Sequence, residues 1–484
     1  MSARANGSTT ADDPQRIIDE KNREISRLRH ENERLERERD RLRRENERLK
    51  TELEAARRAA KRQAAPFSKG APVPTPKRPG RKAGRRYGRR ATRPLPPRID
   101  ETIAVPAPAT CPHCTGVVEP THTASQLQVD VPVVRPIVRE FQIGIGYCRQ
   151  CGRRVQGRHP LQTSDALGAA AHQIGPQALA LTATLHTVLG VPYAKIARFF
   201  TTTFGLTISR STLCRALTRL GTRAGPTYTA LTAQVRESPR VSLDETGWKV
   251  AARLQWLWVA VTPETTVYRI QPGRGFDEAA ALIGADYAGV IVRDGWAPYR
   301  QFTAADHQTC LAHLLRRCHA LIEILAPPTA RWPRAVADVL QTALALRDRH
   351  RTGLVSAHGL AIATGRLLTQ LVQLLDAPPR HPALRRLARH LDTELTAIFT
   401  FLVVLGTDAT TWRAEQAIRP AVILRKVCGG NRSPRGARTH EILATVLKTA
   451  HQRHLDPHPI LTQLLHAPAP GPAPDLCPSR PLGQ

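Results

Sequence analysis

Hydrophobic and polar positions change period several times along this chain, and each change marks a new element. Leu28, Leu35, Leu42 and Leu49 recur every seven residues. Ile18, Ile25, Asn32, Arg39, Asn46 and Leu53 hold the paired a positions, and the residues between are almost all Glu, Arg, Asp or Lys. One helix cannot bury so thin an apolar seam by itself, so the spacing predicts a coiled coil. Asparagine at two a positions costs stability but favours a parallel dimer in one register. Further on, the 3.6-residue period predicts helices over Pro176–Leu189 and Pro192–Phe204, then a break at Gly205-Leu-Thr-Ile and a third helix capped by Ser209 and running to Leu220. A glycine between the last two resembles a helix-turn-helix, and the third helix would present Arg210, Ser211, Arg215 and Arg219 to a groove. Small helical packing units share that pattern.

From Val241 the period becomes that of strands. Arg240–Thr246, Leu254–Val261 and Thr266–Ile270 read as strands, Asp277–Ile283 as a helix after Gly273 and Gly275, and Gly289–Arg293 as a buried strand. The first carries Asp244 and the fourth runs into Asp294. A β-β-β-α-β order fits the ribonuclease-H-like fold, in which the first and fourth strands lie side by side, so the two aspartates would point at one place. Carboxylates brought together repel unless a cation sits between them. Magnesium favours such oxygen ligands, and a pair of ions roughly 3.5–4 Å apart can activate an attacking oxygen and stabilise a leaving one at a phosphodiester. A third acid must come from later in the chain. Glu415 is the best candidate, with Arg419 one helical turn on, although an ordinary i,i+4 ion pair would explain the two as well. Spacing alone leaves Glu394 and Glu441 open.

Composition changes the picture in two ways. Lys plus Arg number 71 against 40 Asp plus Glu, a formal net charge of +31, which makes a polyanion the first partner to consider. Lys69–Arg98 holds eleven of those cations, seven prolines and no acid. It has almost nothing to bury, so it reads as a linker that neutralises phosphate, with Arg81, Arg85, Arg86, Arg89 and Arg90 able to enter a minor groove. Nine cysteines, an odd number in a long chain, argue for a reducing, intracellular setting. Four of them pair as Cys111-Pro-His-Cys114 and Cys148-Arg-Gln-Cys151, separated by 33 residues. Two such knuckles predict a structural zinc ribbon of four thiolates. Two β-like runs, Leu127–Val134 and Val138–Ile145, would form a hairpin between them. His113 reads as a bystander, and Cys214, Cys310, Cys318, Cys428 and Cys477 as plain core or surface. Residues 1–15 show no secretory signal, and the longest stretch free of charge, Ala166–Ala194, carries too many polar residues and prolines to span a membrane.

Taken in order, these motifs resemble the sixty-six family of bacterial insertion-sequence transposases, which carry a DDE active site. The resemblance rests on Leu243-Asp244-Glu-Thr, Arg293-Asp294-Gly-Trp-Ala-Pro-Tyr299, Cys310-Leu-Ala-His313-Leu-Leu-Arg316-Arg317, Ala414-Glu415-Gln-Ala-Ile-Arg419-Pro420 with Arg425-Lys426, and Gly429–Gly436. It implies that Asp244, Asp294 and Glu415 are the catalytic acids and hold two magnesium or manganese ions. His313 would support them near the scissile phosphate, and Arg419, Arg425, Lys426 and Arg432 would hold phosphates. It also implies that the 120 residues between Asp294 and Glu415 include a helical insertion. Implied partners are double-stranded DNA, as terminal inverted repeats and as target, and a second copy of the chain through the zipper; accessory proteins of the element are left open. The implied place is the bacterial cytoplasm, at the nucleoid. The chain departs from the family pattern at Thr410-Thr-Trp-Arg413, at Gln416 and at Leu311.

The expected architecture is multidomain α+β. Residues 1–16 are disordered, 17–62 a leucine-zipper coiled coil, 63–100 a basic linker and 101–160 a zinc ribbon. Residues 161–235 form a helical DNA-binding region. Residues 236–305 and 406–430 form a ribonuclease-H-like catalytic core, interrupted by a helical insertion at 306–405. A C-terminal helical block covers 431–466, and 467–484 is a disordered tail. Two other readings use the same motifs. One is a zinc-ribbon DNA-binding protein without catalysis, a regulator or decayed transposase; the other is a magnesium-dependent nuclease without strand transfer.

Overall fold

The computed structural model describes residues 14–61, 95–132, 134–168, 173–377 and 379–478. The chain divides into two units, Met1–Leu127 and Gln128–Gln484. In the first, α1 (Pro14–Lys61) is one unbroken helix of 48 residues. Along it Ile25, Leu28, Leu35 and Leu42 are all exposed among the described residues. The arginines at 81–90 lie outside the described residues.

The second unit begins with a small hairpin, β1 (Ile145–Tyr147) and β2 (Arg154–Gln156), antiparallel with Gly146 opposite Val155. This corrects the expected hairpin between the knuckles: the strands close over the second knuckle instead. Val129, Val131, Ile137 and Val138, which carried the β-like pattern, are exposed and outside any strand. A period-2 pattern holds a strand only where one face has something to pack against.

Four helices follow: α2 (Pro176–Ala183), running on through a π-helical turn at Thr184–Val188, α3 (Tyr193–Phe204), α4 (Arg210–Arg223) and α5 (Gly225–Glu237). The break predicted at Gly205 is a left-handed cap at φ 66°, which glycine adopts without a Cβ penalty. Ser209 caps α4 by accepting from the Thr212 N–H. Arg210, Ser211, Arg215 and Arg219 are all exposed on α4, while Leu213, Leu217 and Leu220 are buried beneath.

The sheet has five strands: β3 (Arg240–Val250), β4 (Arg253–Val261), β5 (Thr266–Gln271), β6 (Val290–Arg293) and β7 (Asp306–Thr309), in the order β5-β4-β3-β6-β7. β4 is antiparallel to both neighbours, whereas β3, β6 and β7 run parallel. The first and fourth strands are therefore neighbours, as the element order implied. α6 (Phe276–Ile283) provides the crossover. β7 is a fifth strand that hydrophobic patterning missed. Its sequence, Asp-His-Gln-Thr, is polar, and distant chain satisfies it: Gln308 donates to the Ile398 carbonyl at 3.1 Å and accepts from the Phe401 N–H at 2.8 Å.

Alternation along β3 sends Val241 and Leu243 to one face, where they pack with α2, α4, α5 and α6, and Trp248 and Val250 to the other. Beyond β7 come α7 (Leu311–Ile324), α8 (Arg331–Arg351), α9 (Ala357–Asp376), α10 (Pro382–Thr393) and the short α11 (Thr400–Val403). They share a core of their own, with Leu314, Leu340, Leu371 and Leu391 inside it. The chain then returns to the sheet in α12 (Trp412–Cys428), which covers the Trp248 face. α12 runs through Pro420 without ending there.

α13 (Pro434–Gln452) closes the sheet edge. Thr449, Thr445 and Glu441, spaced at i, i−4 and i−8, accept from the N–H groups of Thr266, Tyr268 and Ile270 on β5 at 3.2, 3.0 and 2.8 Å. Covering an edge in this way removes a template for unwanted strand pairing. After α14 (Pro457–His466) the segment expected to be a free tail folds back. Ala473 and Leu476 are buried in the main core, and the Leu476 carbonyl accepts from Arg453 at 2.7 Å. Proline-rich composition predicts missing secondary structure, but two apolar side chains and a waiting arginine are enough to dock the strap. Among the described residues, no helix is long and apolar enough to cross a membrane.

Candidate active site

Asp244 lies on the face of β3 that α12 covers, because the alternation that buries Leu243 on one side turns its neighbour to the other. The parallel register pairs Ser242 with Val292, and two residues further along each strand come Asp244 and Asp294. Asp294 accepts the Trp296 N–H at 2.9 Å, and Asp244 accepts the Glu245 N–H at 2.9 Å.

Glu415 enters from the first turn of α12. Three bonds dock that turn: the Leu311 N–H donates to the Ala409 carbonyl at 3.0 Å, and the Thr411 N–H and hydroxyl both donate to Cys310 Sγ at 3.3 Å. The Thr411 hydroxyl also reaches Glu415 Oε1 at 3.4 Å. The Asp244 carboxyl is pushed up to about 7, first by burial, then by the charge of Glu245, with Asp294 and Glu415 adding to it. Asp294 and Glu415 thus lie near enough to act on the Asp244 charge although the three are far apart in sequence, but among the described residues their carboxylates do not close into one tight set of ligand atoms.

His313 stands beside Glu415, with Nε2 3.9 Å from Oε1. The Cys310 thiol next to the ring raises the His313 pKa against the effect of burial. Burial works to raise the Cys310 thiol, but the neighbouring His313 ring and the Thr411 N–H and hydroxyl outweigh it and lower the thiol overall. Cys310 is therefore no plain core residue.

The opposite face of β3 holds a group that patterning passed over. Glu245 is buried there, accepts from Arg274 Nε at 2.5 Å and takes a very short hydrogen bond from the Tyr299 hydroxyl. Arg274 is stacked between Trp296 and Trp256, 4.2 and 5.0 Å from their ring centroids. A charged residue directly after an aspartate in a half-buried strand was the available signal. Arg293, immediately before Asp294, is also buried and meets Glu394 at 2.5 Å. Arg300 and Thr309 complete the bonds to that carboxylate.

The two acids that spacing left open are thereby occupied elsewhere: Glu394 in this cluster, and Glu441 on the β5 edge with Arg438 at 2.8 Å. Among the cations read as phosphate holders, Arg419, Lys426 and Arg432 are exposed. Arg425 is not free in this way: it donates to the Thr246 hydroxyl at 2.9 Å and, very closely, to the Gly247 carbonyl. Its reading as a DNA contact gives way to a clamp of α12 on β3. The Gly429–Gly436 stretch is another clamp, since the Asn431 backbone bridges to Val250 and its side chain accepts from Trp248 Nε1 at 2.8 Å.

The first knuckle belongs to the first unit and the second to the other. Each is the same turn. The Cys111 N–H donates to the Gly116 carbonyl and the Thr115 N–H to the Cys111 carbonyl, at 2.8 and 2.9 Å. The Cys148 N–H donates to Arg153 and the Gly152 N–H to Cys148, at 2.9 and 2.8 Å. The fifth residue is left-handed in both, with φ 61° at Thr115 and 66° at Gly152. Backbone N–H groups of His113 and Cys114 lower the Cys111 thiol, and those of Cys151 and Gln150 lower the Cys148 thiol.

Comparison with known proteins gives the chain's family. The chain is 24% identical over 400 residues to the uncharacterized protein y4jD of Sinorhizobium fredii, covering 76% of each chain. It is 25% identical over 290 residues to y4qI of the same organism, also uncharacterized, covering 54% of this chain and 53% of that one. Residues 171–439 match the family described as Transposase IS66 family, a span that holds all three acids and the helices between them. With more than half of its length inside that match, the chain belongs to the IS66 family of transposases.

Proposed function

We propose that the chain is a DDE transposase that binds the ends of its own insertion sequence and cuts and joins DNA with divalent ions held by Asp244, Asp294 and Glu415. The observation that carries the reading is the parallel pairing of Ser242 with Val292, which brings Asp244 and Asp294 to neighbouring positions two residues on, where burial and the surrounding acids push the Asp244 carboxyl up to about 7. Such a cluster is poorly neutralised by the protein and fits a hard cation with oxygen ligands. Two bound magnesium ions would supply Lewis-acid stabilisation and an activated nucleophile. The chain's own part is to hold Asp244 and Asp294 by backbone N–H groups and to set Glu415 through Thr411. In the reaction a water oxygen attacks phosphorus and the bond to the 3′ oxygen breaks; the freed 3′ hydroxyl, losing its proton to solvent, then attacks a target phosphorus in line, and the target's own 3′ oxygen leaves and takes up a proton. The five-stranded order with parallel β3 and β6 supports a ribonuclease-H-like core, and α7–α11 a helical insertion within it. Supercoiled plasmid bearing the element's ends should be cut and joined with magnesium and untouched when magnesium is omitted. Full activity in Asp244→Ala would rule the triad out. Omission is a cleaner control than EDTA, which also strips zinc.

The rest of the chain serves recognition in this reading. α1 pairs with its copy to cover the leucine seam and so makes a dimer. Each knuckle turn, with N–H groups aimed at sulfur, suits a pair of thiolates on zinc. Protein dialysed into magnesium buffer should retain one zinc per chain by metal analysis, and Cys148→Ser should lose it; a full complement in that variant would end the ribbon reading. On α4 the exposed Arg215 contacts phosphate. Arg215→Ala should weaken DNA binding similarly for all sequences and reduce the slope of log affinity against log salt by about 1. An unchanged slope would take α4 off the DNA.

A further inference from the structure

Cys310, His313 and Glu415 are the described residues whose possible ligand atoms, one from each, lie within 4.8 Å of one another. They bring sulfur, nitrogen and oxygen, which is a borderline-soft donor set and differs from the all-oxygen set that magnesium prefers. Three further observations point to a bound cation. His313 Nδ1 is buried and has no hydrogen-bond partner. Cys310 Sγ already receives two donors from Thr411, the kind of outer support that fixes a ligating sulfur. His313 and Glu415 are each about two-fifths exposed in their side chains, at 37% and 42%, so both can swing inward. Bonds of about 2.0–2.3 Å to zinc would bring the ligand atoms to roughly 3.5 Å apart, a closing movement of about 1 Å.

We propose that Cys310, His313 and Glu415 form a zinc site that competes with magnesium for Glu415 and holds the protein inactive until the zinc leaves. The proposal rests on the reading of Glu415 as a catalytic acid. Cys310 loses its thiol proton to solvent as the sulfur binds, and water fills the fourth position. The magnesium triad and the zinc site share one carboxylate, so occupancy of one excludes completion of the other.

The probe is Co2+ added to the full-length protein with its knuckle zinc in place. One further equivalent should bind with a thiolate-to-cobalt absorption band. The band should persist when Cys111 and Cys148 are both changed to serine and vanish in Cys310→Ser. His313→Ala, which truncates a side chain 37% exposed, should weaken cobalt binding by more than the roughly 10–100-fold typical of losing an outer-shell partner. Zinc added to the magnesium reaction should inhibit the wild type, and excess magnesium should relieve that inhibition. A band that survives Cys310→Ser, or unchanged cobalt affinity in His313→Ala, overturns the proposal. A chain that shows the band yet cuts no DNA in magnesium fails as a transposase of this type while keeping the site; cutting without the band does the reverse.

Discussion

Asp244→Asn should make the metal-free protein more stable and the reaction at least about 10³-fold slower, several kcal/mol of lost transition-state stabilisation at 1.36 kcal/mol per tenfold. The two effects have one cause. The folded carboxyl sits at about 7 against an ordinary 3.8. Between those values the folded chain keeps a proton that the unfolded chain has given up. Stability of the metal-free protein therefore falls as pH rises from about 4 to about 7 and stays low above that. Linkage caps the loss at roughly 4 kcal/mol. Urea unfolding at pH 8 without divalent ions should show Asp244→Asn ahead of the wild type by about 1–3 kcal/mol, and the gap should close near pH 4. Magnesium should restore the wild type and leave the variant unchanged, because only the full set of acids gains from the ion. A variant no more stable than the wild type at pH 8 would mean that the three acids do not crowd one another.

Glu394→Ala should be among the most destabilising single changes in the chain. The carboxylate is fully buried, meets Arg293 at 2.5 Å and Arg300 at 2.9 Å, and takes the Thr309 hydroxyl as well. Removing it leaves the Arg293 guanidinium, 2% exposed, as an uncompensated charge, at a cost of about 3–5 kcal/mol. Arg300→Ala removes the solvent-facing member of the same cluster and should cost about 1 kcal/mol or less. The contrast in urea midpoints is the test; equal losses would mean that Arg293 finds another partner. Because Arg293 immediately precedes Asp294, Glu394→Ala should also lower cleavage in whatever fraction remains folded. This cluster ties the helical segment to the end of β6, so the segment that separates the acids in sequence also steadies one of them in space.

The amino-acid sequence alone determined the elements whose signal is local. Heptad leucines specify α1, the Gly205 and Ser209 pair specifies the turn into α4, and strand period specifies β3, which carries Asp244 and runs on past it to Val250, and β6, which ends just before Asp294. Periodicity and capping act over a few residues and need no knowledge of what lies across the core. Tertiary structure decided the rest. Glu415, Glu394 and Glu441 look alike in sequence; only docking of α12 through Cys310 and Thr411 sets the first beside His313, while burial commits the other two to arginines and a strand edge. The polar β7 and the docked 467–478 strap are held by partners about 90 and 240 residues away in sequence, so no local pattern could show them. The exposed valines between the knuckles had the right alternation and nothing to pack against. Local preference sets what a segment can become, and burial and hydrogen-bond partners brought in by distant chain decide which of those possibilities is kept.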